Sequence, residues 1–421
     1  MAKTSKSLNF ILWGFIILGC LLRFIWPQDM EWKFDEIWMF EKALESRTSG
    51  IWPKVGMTSG AGLINPGLSV WIFCIIAQFT QSPVGMVLWV MSGSVLSILG
   101  FLWFVNTCVP QKNRQLWYWA LALLAVNPMA ILFARKIWAQ DALPIFTLLF
   151  LCSHYYRQKP WAAFLWGFVG ALLGQIHMSG FFFAFGFAAL TAASHWYKKE
   201  SWPWKYWILG SIIASMGMIP WILELMNTHS PGTTSIANIA KLEYFLFGFL
   251  DTTGLNLKYS LGSDYGHFLQ YPFIGQYPTF IVAIVHLILA VVALKIIWIA
   301  IGHLIYLGNG IKRNGLKSHG SEVLKRVLTT NDLATFYIWA SFIGLGVVLT
   351  LSGLSIKSHY LIVAYPMLFL LVAKWLINEK KWLMIMILTL LVLSSLFLFY
   401  IHQNKGVPNG DYGPTYEVQT K

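Results

Sequence analysis

Two adjacent acids, Asp35 and Glu36, begin an aromatic and apolar stretch with the sequence FDEIWMF. At the start of a helix beside a dry cleft, a carboxylate can have a raised pKa and accept a proton as a general base near neutral pH. Glu41 and Glu45 follow at helical spacing, which is typical of a solvated helix face. The pattern indicates Asp35 and Glu36 as candidates for acid–base chemistry, with a solvated interfacial helix as the structural alternative.

A second polar group lies between two apolar stretches, in the sequence FARKIWAQDALP. Arg135 and Asp141 flank this turn, and charged residues close to a bilayer are costly and tend to be functional. In the structural alternative, Arg135 and Lys136 extend toward the aqueous interface and Asp141 caps the next helix, with Pro144 in its first turn. Arg135 is the stronger functional candidate, because basic residues elsewhere in the chain fall on the opposite side of the topology derived below.

Two further groups could bind an anion. His177, in the sequence GQIHMSG, marks the end of one apolar stretch and is either a hydrogen-bonded structural residue or a ligand for a phosphate or a divalent cation. Lys357, His359 and Tyr360 lie at the edge of a late apolar stretch, where a cation and hydrogen-bond donors suit the phosphate of a lipid. An interfacial Lys beside an interfacial Tyr is the structural alternative.

The composition identifies the environment of these groups. Only 11% of the 421 residues are charged and 57% are apolar, whereas a soluble domain carries about 25% charged residues. The chain therefore belongs in a bilayer. Its net charge of +13 is what cytoplasmic loops of a membrane protein require, so nucleic-acid binding is not expected. The four cysteines are scattered through apolar stretches and indicate neither a disulfide framework nor a zinc site.

Apolar windows of about 20 residues predict an all-α membrane protein with about eleven transmembrane helices. The stretch at 67–80 is predicted to lie along the interface, because a crossing there would turn the basic clusters outward. With the N-terminus in the cytoplasm, loops 27–82 and 227–278 and the short, turn-rich tail 402–421 lie outside, and the basic loop 307–331 lies inside. The spans lie near residues 8–26, 84–106, 117–134, 141–156, 161–176, 179–197, 206–226, 279–300, 333–352, 359–377 and 382–401.

In chain order, these residues resemble the GT-C membrane glycosyltransferases, in particular the bacterial protein O-mannosyltransferases and aminoarabinose transferases. The similarity covers most of residues 8–377. The matching features are the Asp35 and Glu36 pair after the first span, the Asn65 and Pro66 step, the turn from Arg135 to Asp141, the polar break at His177, and the late segment with Lys357, His359, Tyr360 and Pro366.

The resemblance implies one helical domain over residues 1–401, with interfacial helices in the first outer loop. It implies an inverting sugar transfer from a polyprenyl-phosphate donor to a lipid, glycan or protein acceptor, at the outer (periplasmic) face of the cytoplasmic (inner) membrane. Asp35 would be the catalytic base, with Glu36 beside it and Asp141 shaping the same cleft. The donor phosphate would be held by Arg135, Lys357, His359 and Tyr360, with His177 also in the cleft.

The chain departs from this family at one motif. Relatives often carry two prolines and a nearby charged residue before the interfacial helix, where this chain has the sequence INPG at 64–67. A divalent cation is the one cofactor considered, and this departure leaves its binding at that position open. The tail has the composition of a flexible end.

Two other classes of protein remain open. A transporter or lipid flippase would carry ionisable residues at mid-membrane on broken helices, in two repeated halves. Here the candidate residues lie at span ends and no internal repeat is evident. A scaffold protein without catalysis is the second alternative. The residues that favour a transporter lie within or near spans and are His154, Glu224, His286 and Lys295.

Overall fold

The computed structural model describes residues 2–60, 62–227, 234–314 and 316–420. Residues 61, 228–233 and 315, which fall in the three predicted loops, and residue 421 of the predicted tail lie outside the described residues. The protein is all-α, as predicted, and 78% helical. Its first ten helices are α1 (Ala2–Leu22), α2 (Phe34–Ser49), α3 (Leu68–Ala77), α4 (Pro83–Cys108), α5 (Arg114–Val126), α6 (Pro128–Phe133), α7 (Leu143–Tyr155), α8 (Pro160–Ile176), α9 (Ser179–Lys198) and α10 (Trp204–Ser215).

In the second half of the chain, α18 (Leu333–Ser341) continues as a π-helix over Phe342–Leu349. A 3₁₀ segment over Ser358–Ala364 leads directly into α19 (Tyr365–Leu376). The remaining helices are α11 (Ile219–Asn227), α12 (Ile236–Ala240), α13 (Glu243–Thr253), α14 (Lys258–Leu261), α15 (Tyr265–Gln270), α16 (Ile281–Asn314), α17 (Leu316–Thr329), α18 (Leu333–Ser341), α19 (Tyr365–Leu376), α20 (Lys380–Asn404) and α21 (Tyr416–Gln419).

Three small antiparallel strand pairs lie in the described parts of the loops. The strands are β1 (Val55–Thr58) with β2 (Ile64–Pro66), β3 (Phe273–Ile274) with β4 (Tyr277–Pro278), and β5 (Gly406–Val407) with β6 (Gly413–Pro414). The first pair leads into α3, and the last pair shapes the tail after α20.

Five helical stretches of the described chain are long and apolar enough to cross a membrane. A sixth is counted if the pair Gly320–Thr329 and Leu333–Leu349, bent by 117°, forms one span. This supports a multi-pass membrane protein, but the predicted number of eleven is not confirmed. The five stretches are Pro83–Cys108, Trp204–Asn227, Ile281–Ile305, Ser358–Leu376 and Lys380–Asn404.

Short or broken helices account for the difference. The predicted span 117–134 is divided at Asn127, whose side chain accepts hydrogen bonds from the backbone N–H of Met129 (3.0 Å) and Ala130 (3.1 Å). These bonds cap a new helix, α6, with Pro128 in its first turn. The predicted interfacial stretch contains α3, whose ten residues extend about 15 Å, half the thickness of a bilayer core of about 30 Å.

Side-chain contacts join several helix ends at one end of the bundle. Lys374 Nζ lies 3.2 Å from Asp332 Oδ2, and Asn113 Nδ2 donates to Asp332 Oδ1 at 3.3 Å. Lys295 Nζ pairs with Glu379 Oε1 at 2.7 Å. The segments that follow α1, α6, α8 and the π-helix carry most of the candidate site residues.

The tail after α20 is packed, which corrects the expectation of a flexible end. Thr415 forms an isolated bridge with Glu31, and the N–H of Tyr416 donates to the carbonyl of Met30 at 3.1 Å. Tyr412 is buried and its hydroxyl donates to the carbonyl of Asp29. The tail is therefore ordered by backbone pairing with the segment that precedes α2.

Candidate active site

The chain turns sharply between α1 and α2, which positions the first pair of candidate acids. Trp26 has a positive φ of 47°, and a 3₁₀ turn over Pro27–Asp29 follows. α2 then begins after Lys33, whose N–H donates to Glu36 Oε2 at 3.2 Å. Asp35 and Glu36 consequently lie in the first turn of α2, where the helix dipole favours negative charge.

A buried ion pair lies beside this helix start. Lys136 and Glu31 are both almost fully buried, and Lys136 Nζ contacts Glu31 Oε2. Lys33 Nζ lies 2.6 Å from Glu31 Oε1 and 3.0 Å from Asp411 Oδ2 in the tail. Lys136 Nζ also lies 4.3 Å from the ring centroid of Trp138. Lys136 is therefore part of an internal charge cluster, which corrects the alternative of an interfacial lysine.

Three more acids interact electrostatically with Lys136. Burial and then the charge of Glu31 raise the pKa of Glu36 to about 8, while Lys136 opposes the shift. Burial raises the pKa of Asp141 well above its ordinary value, although the positive charge of Lys136 acts to lower it. Burial also raises the pKa of Asp35, which is half-buried. Glu36 therefore favours its protonated form near pH 7 and the pKa of Asp141 is shifted in the same direction, whereas Asp35 is the most accessible of the three acids.

The carboxyl group of Asp141 is unpartnered. Both of its oxygens are buried without a hydrogen bond to any described residue, and so is Glu36 Oε1. Asp141 lies in a 3₁₀ turn over Ala139–Ala142, and α7 has no side-chain cap. The structure thus does not show the capping role that was the alternative for Asp141. Buried carboxyl oxygens that lack protein donors are available to a ligand or a proton.

The histidines and Tyr360 form a neighbouring aromatic group. The ring centroid of His177 lies 5.9 Å from that of His359 and 4.8 Å from that of Tyr360. The ring of His359 lies 5.3 Å from Trp138, and its Nδ1 is enclosed without a partner among the described residues. Burial lowers the pKa of His177 to about 4, so its imidazole is neutral near pH 7. A neutral His177 suits hydrogen bonding better than pairing with a phosphate anion.

Arg135 and Lys357 stand apart from this group. The guanidinium of Arg135 donates to three backbone carbonyls that follow α1, those of Arg23 (3.0 Å), Ile25 (2.6 Å) and Trp26 (2.8 Å). These bonds give Arg135 a structural role, holding the turn between α1 and α2, and argue against the expected contact with the donor phosphate. Lys357 is exposed at the start of the 3₁₀ segment that carries His359.

Sequence reasoning missed three charged residues that the structure places at or beside the site. Glu31 contacts both Lys136 and Lys33, Asp411 contacts Lys33, and no local pattern distinguishes these two acids from others. Arg23 is 1% exposed. A signal for it was present, because Arg23 is the only charged residue in the predicted span 8–26, and ionisable residues within spans are functional candidates.

Two cavities border the site. The first is small, with about 30 Å³ of free volume, and its polar lining residues are Arg23, Ser94, Ser97, Asp141 and Tyr365. Its apolar lining comes from α4, α5, α6, α7, Ala134 and the residues around the start of α19. The second has about 10 Å³ of free volume and is lined in part by Ser59, Asn65, His177, Ser179 and Tyr360.

Among the residues that the structure describes, no group of three or more His, Cys, Asp or Glu side chains is arranged to hold a metal ion.

Comparisons of the chain with protein-family models, with curated proteins and with solved structures found no match. The fold and the site therefore define a class only. Over the residues that the structure describes, the protein is all-α, has five or six helices able to span a membrane, and carries a buried cluster of acids and lysines around Glu31 and Lys136.

Proposed function

We propose that the protein is an inverting membrane glycosyltransferase with a GT-C-like bundle of about eleven spans. It transfers a sugar from a polyprenyl-phosphate donor to an acceptor hydroxyl at the outer face of the cytoplasmic membrane. The observation that carries the proposal is the convergence of Asp35, Glu36 and Asp141 on Lys136, beside a cavity with mainly apolar walls. A donor with a lipid tail and a charged sugar phosphate needs these two environments side by side.

In this reaction the acceptor oxygen forms a bond to the anomeric carbon of the sugar, and the bond from that carbon to the phosphate oxygen breaks. Asp35 takes the proton of the acceptor hydroxyl, because it is the most accessible of the three acids and its raised pKa makes it a better base. The electron pair of the broken bond leaves with the polyprenyl monophosphate. Glu36 and Asp141, when protonated, limit the negative charge close to the departing phosphate.

The proposal is tested with purified protein in lipid vesicles that contain polyprenyl-phosphate sugars, by measuring the release of polyprenyl phosphate with a panel of acceptors. Replacing a general base reduces the rate by about 10²- to 10⁴-fold, so Asp35→Asn is expected to show a loss of that size. Glu41→Gln is the matched control, because Glu41 is exposed on the same helix. Full activity of Asp35→Asn would remove Asp35 from the mechanism.

The same vesicles separate this proposal from transport. A transporter or flippase would move labelled lipid or solute across the membrane and leave the sugar on its carrier. Lipid movement without sugar release by the wild-type protein would overturn the glycosyltransferase proposal. An inert scaffold would do neither, and Asp35→Asn would then leave every measured property unchanged.

A further inference from the structure

Arg23 is a buried residue whose hydrogen bonds join three helices. Its Nε donates to Ser94 Oγ of α4 at 3.1 Å, and its Nη1 donates to the carbonyls of Gly19 in α1 and Ala125 in α5, both at 2.7 Å. A Cβ atom at Gly19 would clash with the Ala125 carbonyl, so α1 and the end of α5 approach closely here. The guanidinium is therefore fixed through two of its nitrogens, and Nη2 makes no hydrogen bond to the described residues.

The charge of Arg23 has no acidic partner. Among the described residues, no carboxylate lies within ion-pair distance of its guanidinium, whereas the buried Lys136 is paired with Glu31. A guanidinium keeps its proton in proteins, so Arg23 cannot become neutral as a buried lysine can. Neutral carbonyls and one hydroxyl offset the cost of burying this ion only in part. A small anion beside Nη2 would complete the missing charge pair.

The first cavity lies where such an anion would bind, because Arg23 and Ser94 both line it. Ser94 Oγ accepts from Arg23, while its own hydrogen is donated to no described residue. The other two hydroxyl groups of the lining are already used, since Ser97 donates to the Ser94 carbonyl and Tyr365 donates to Asp251. The lining therefore offers two free donors, Nη2 and the Ser94 hydroxyl, to a hydrogen-bond acceptor in the cavity.

Size and charge limit the kind of anion. The cavity has about 30 Å³ of free volume, and one buried water needs roughly 10 to 15 Å³. It can thus take a monatomic ion with a water molecule, but no organic anion, since small-molecule sites measure roughly 300 to 1,000 Å³. A divalent anion is disfavoured as well, because Arg23 supplies one positive charge and the second negative charge would be buried unpaired.

Asp141 also lines this cavity and is the one acid that does so among the described residues. It makes no ion pair with Arg23, and burial raises its pKa, which reduces its negative charge and hence its repulsion of an anion. The remaining lining is apolar, and a charge pair is stronger in apolar surroundings than in water.

We propose that this cavity is a halide site, which binds one chloride ion between Arg23 Nη2 and the hydroxyl group of Ser94. The ion neutralises the guanidinium that joins α1, α4 and α5, so its binding stabilises the junction from which the chain turns toward α2. The site goes beyond the proposed sugar transfer, because it uses none of the acids assigned to that reaction.

The test measures urea denaturation of the full-length protein in mild detergent while sodium chloride replaces sodium gluconate at constant ionic strength. Gluconate is too large for the cavity, and constant ionic strength keeps charge screening unchanged. Because an ion that binds only the folded state stabilises it, the urea midpoint is expected to rise with chloride concentration and to saturate. Bromide is expected to act in the same way as chloride.

Four variants locate the effect. Arg23→Gln is expected to abolish the chloride-dependent rise, and Ser94→Ala is expected to shift its half-saturation to about 10- to 100-fold more chloride. Ala130→Val retains Arg23 and fills the cavity from its wall, so it is expected to abolish the rise even if Arg23→Gln does not fold. Lys42→Gln removes a cation from the exposed side of α2 and is expected to respond as the wild type does.

The position of the ion is read from crystals grown in bromide, in which an anomalous peak is expected within hydrogen-bonding distance of Arg23 Nη2. A wild-type midpoint that does not respond to chloride would overturn the proposal. Equal, saturating responses of the wild type and folded Ala130→Val would overturn it too, as would bromide peaks at other positions only.

Discussion

Glu36 should make the stability of the protein depend on pH. Its side chain is fully buried, Oε2 accepts a hydrogen bond from the N–H of Lys33, and Oε1 has no partner among the described residues. In Glu36→Gln, the amide oxygen can still accept the bond from Lys33, but the side chain can no longer ionise. The substitution therefore removes one titration and keeps the start of α2.

The magnitude follows from the pKa. Burial and the charge of Glu31 raise the pKa of Glu36 from its ordinary 4.5 to about 8 in the folded protein. The folded state therefore binds a proton that the unfolded chain has already released. This contribution to stability is fully present below pH 4.5 and is lost as the pH rises through 8. Integration between pH 5 and pH 8 gives a loss of roughly 3 to 4 kcal/mol in the free energy of unfolding.

The assay is denaturant titration of the purified protein in mild detergent at pH 5 and pH 8. We expect the wild type to lose roughly 3 to 4 kcal/mol more than Glu36→Gln over this range. Glu41→Gln, an exposed position on the same helix, should lose as much as the wild type. If Glu36→Gln and the wild type lose the same free energy, the burial and charge argument for Glu36 is refuted.

Three further outcomes are expected. Lys136→Met should lower the free energy of unfolding by about 3 to 5 kcal/mol, because it leaves Glu31 buried without its nearest cation. Denaturant titration at pH 7 measures this loss. A smaller loss than that caused by replacing an exposed lysine would contradict the prediction. A chain truncated after Asn404 lacks the tail that pairs with the Glu31 segment, so we expect roughly 100-fold slower sugar release with normal membrane insertion. Single cysteines at Asp35 and Lys325 should react with an impermeant reagent from opposite sides of the membrane, and labelling of both from one side would refute the topology.

Local sequence patterns predicted part of the site. Asp35 and Glu36 were expected at the start of a helix and lie in the first turn of α2, because helix initiation depends on residues within a few positions of each other. His177, His359 and Tyr360 were expected on one face and are in contact. The resemblance assigned Arg135 to the donor phosphate. In the structure its partners are backbone carbonyls, and such contacts carry no signature in a sequence.

The sequence by itself determined the helical, apolar character of the protein, because hydropathy and helix signals are sums over neighbouring residues. It overestimated how many apolar stretches form long helices, since an Asn and Pro step divides one of them at Asn127. Only the tertiary structure decided which charges meet. Lys136 contacts Glu31, which is about a hundred residues away in the chain, whereas Arg23 contacts no acid among the described residues. The packing of the whole bundle sets which side chains from distant parts of the chain come together.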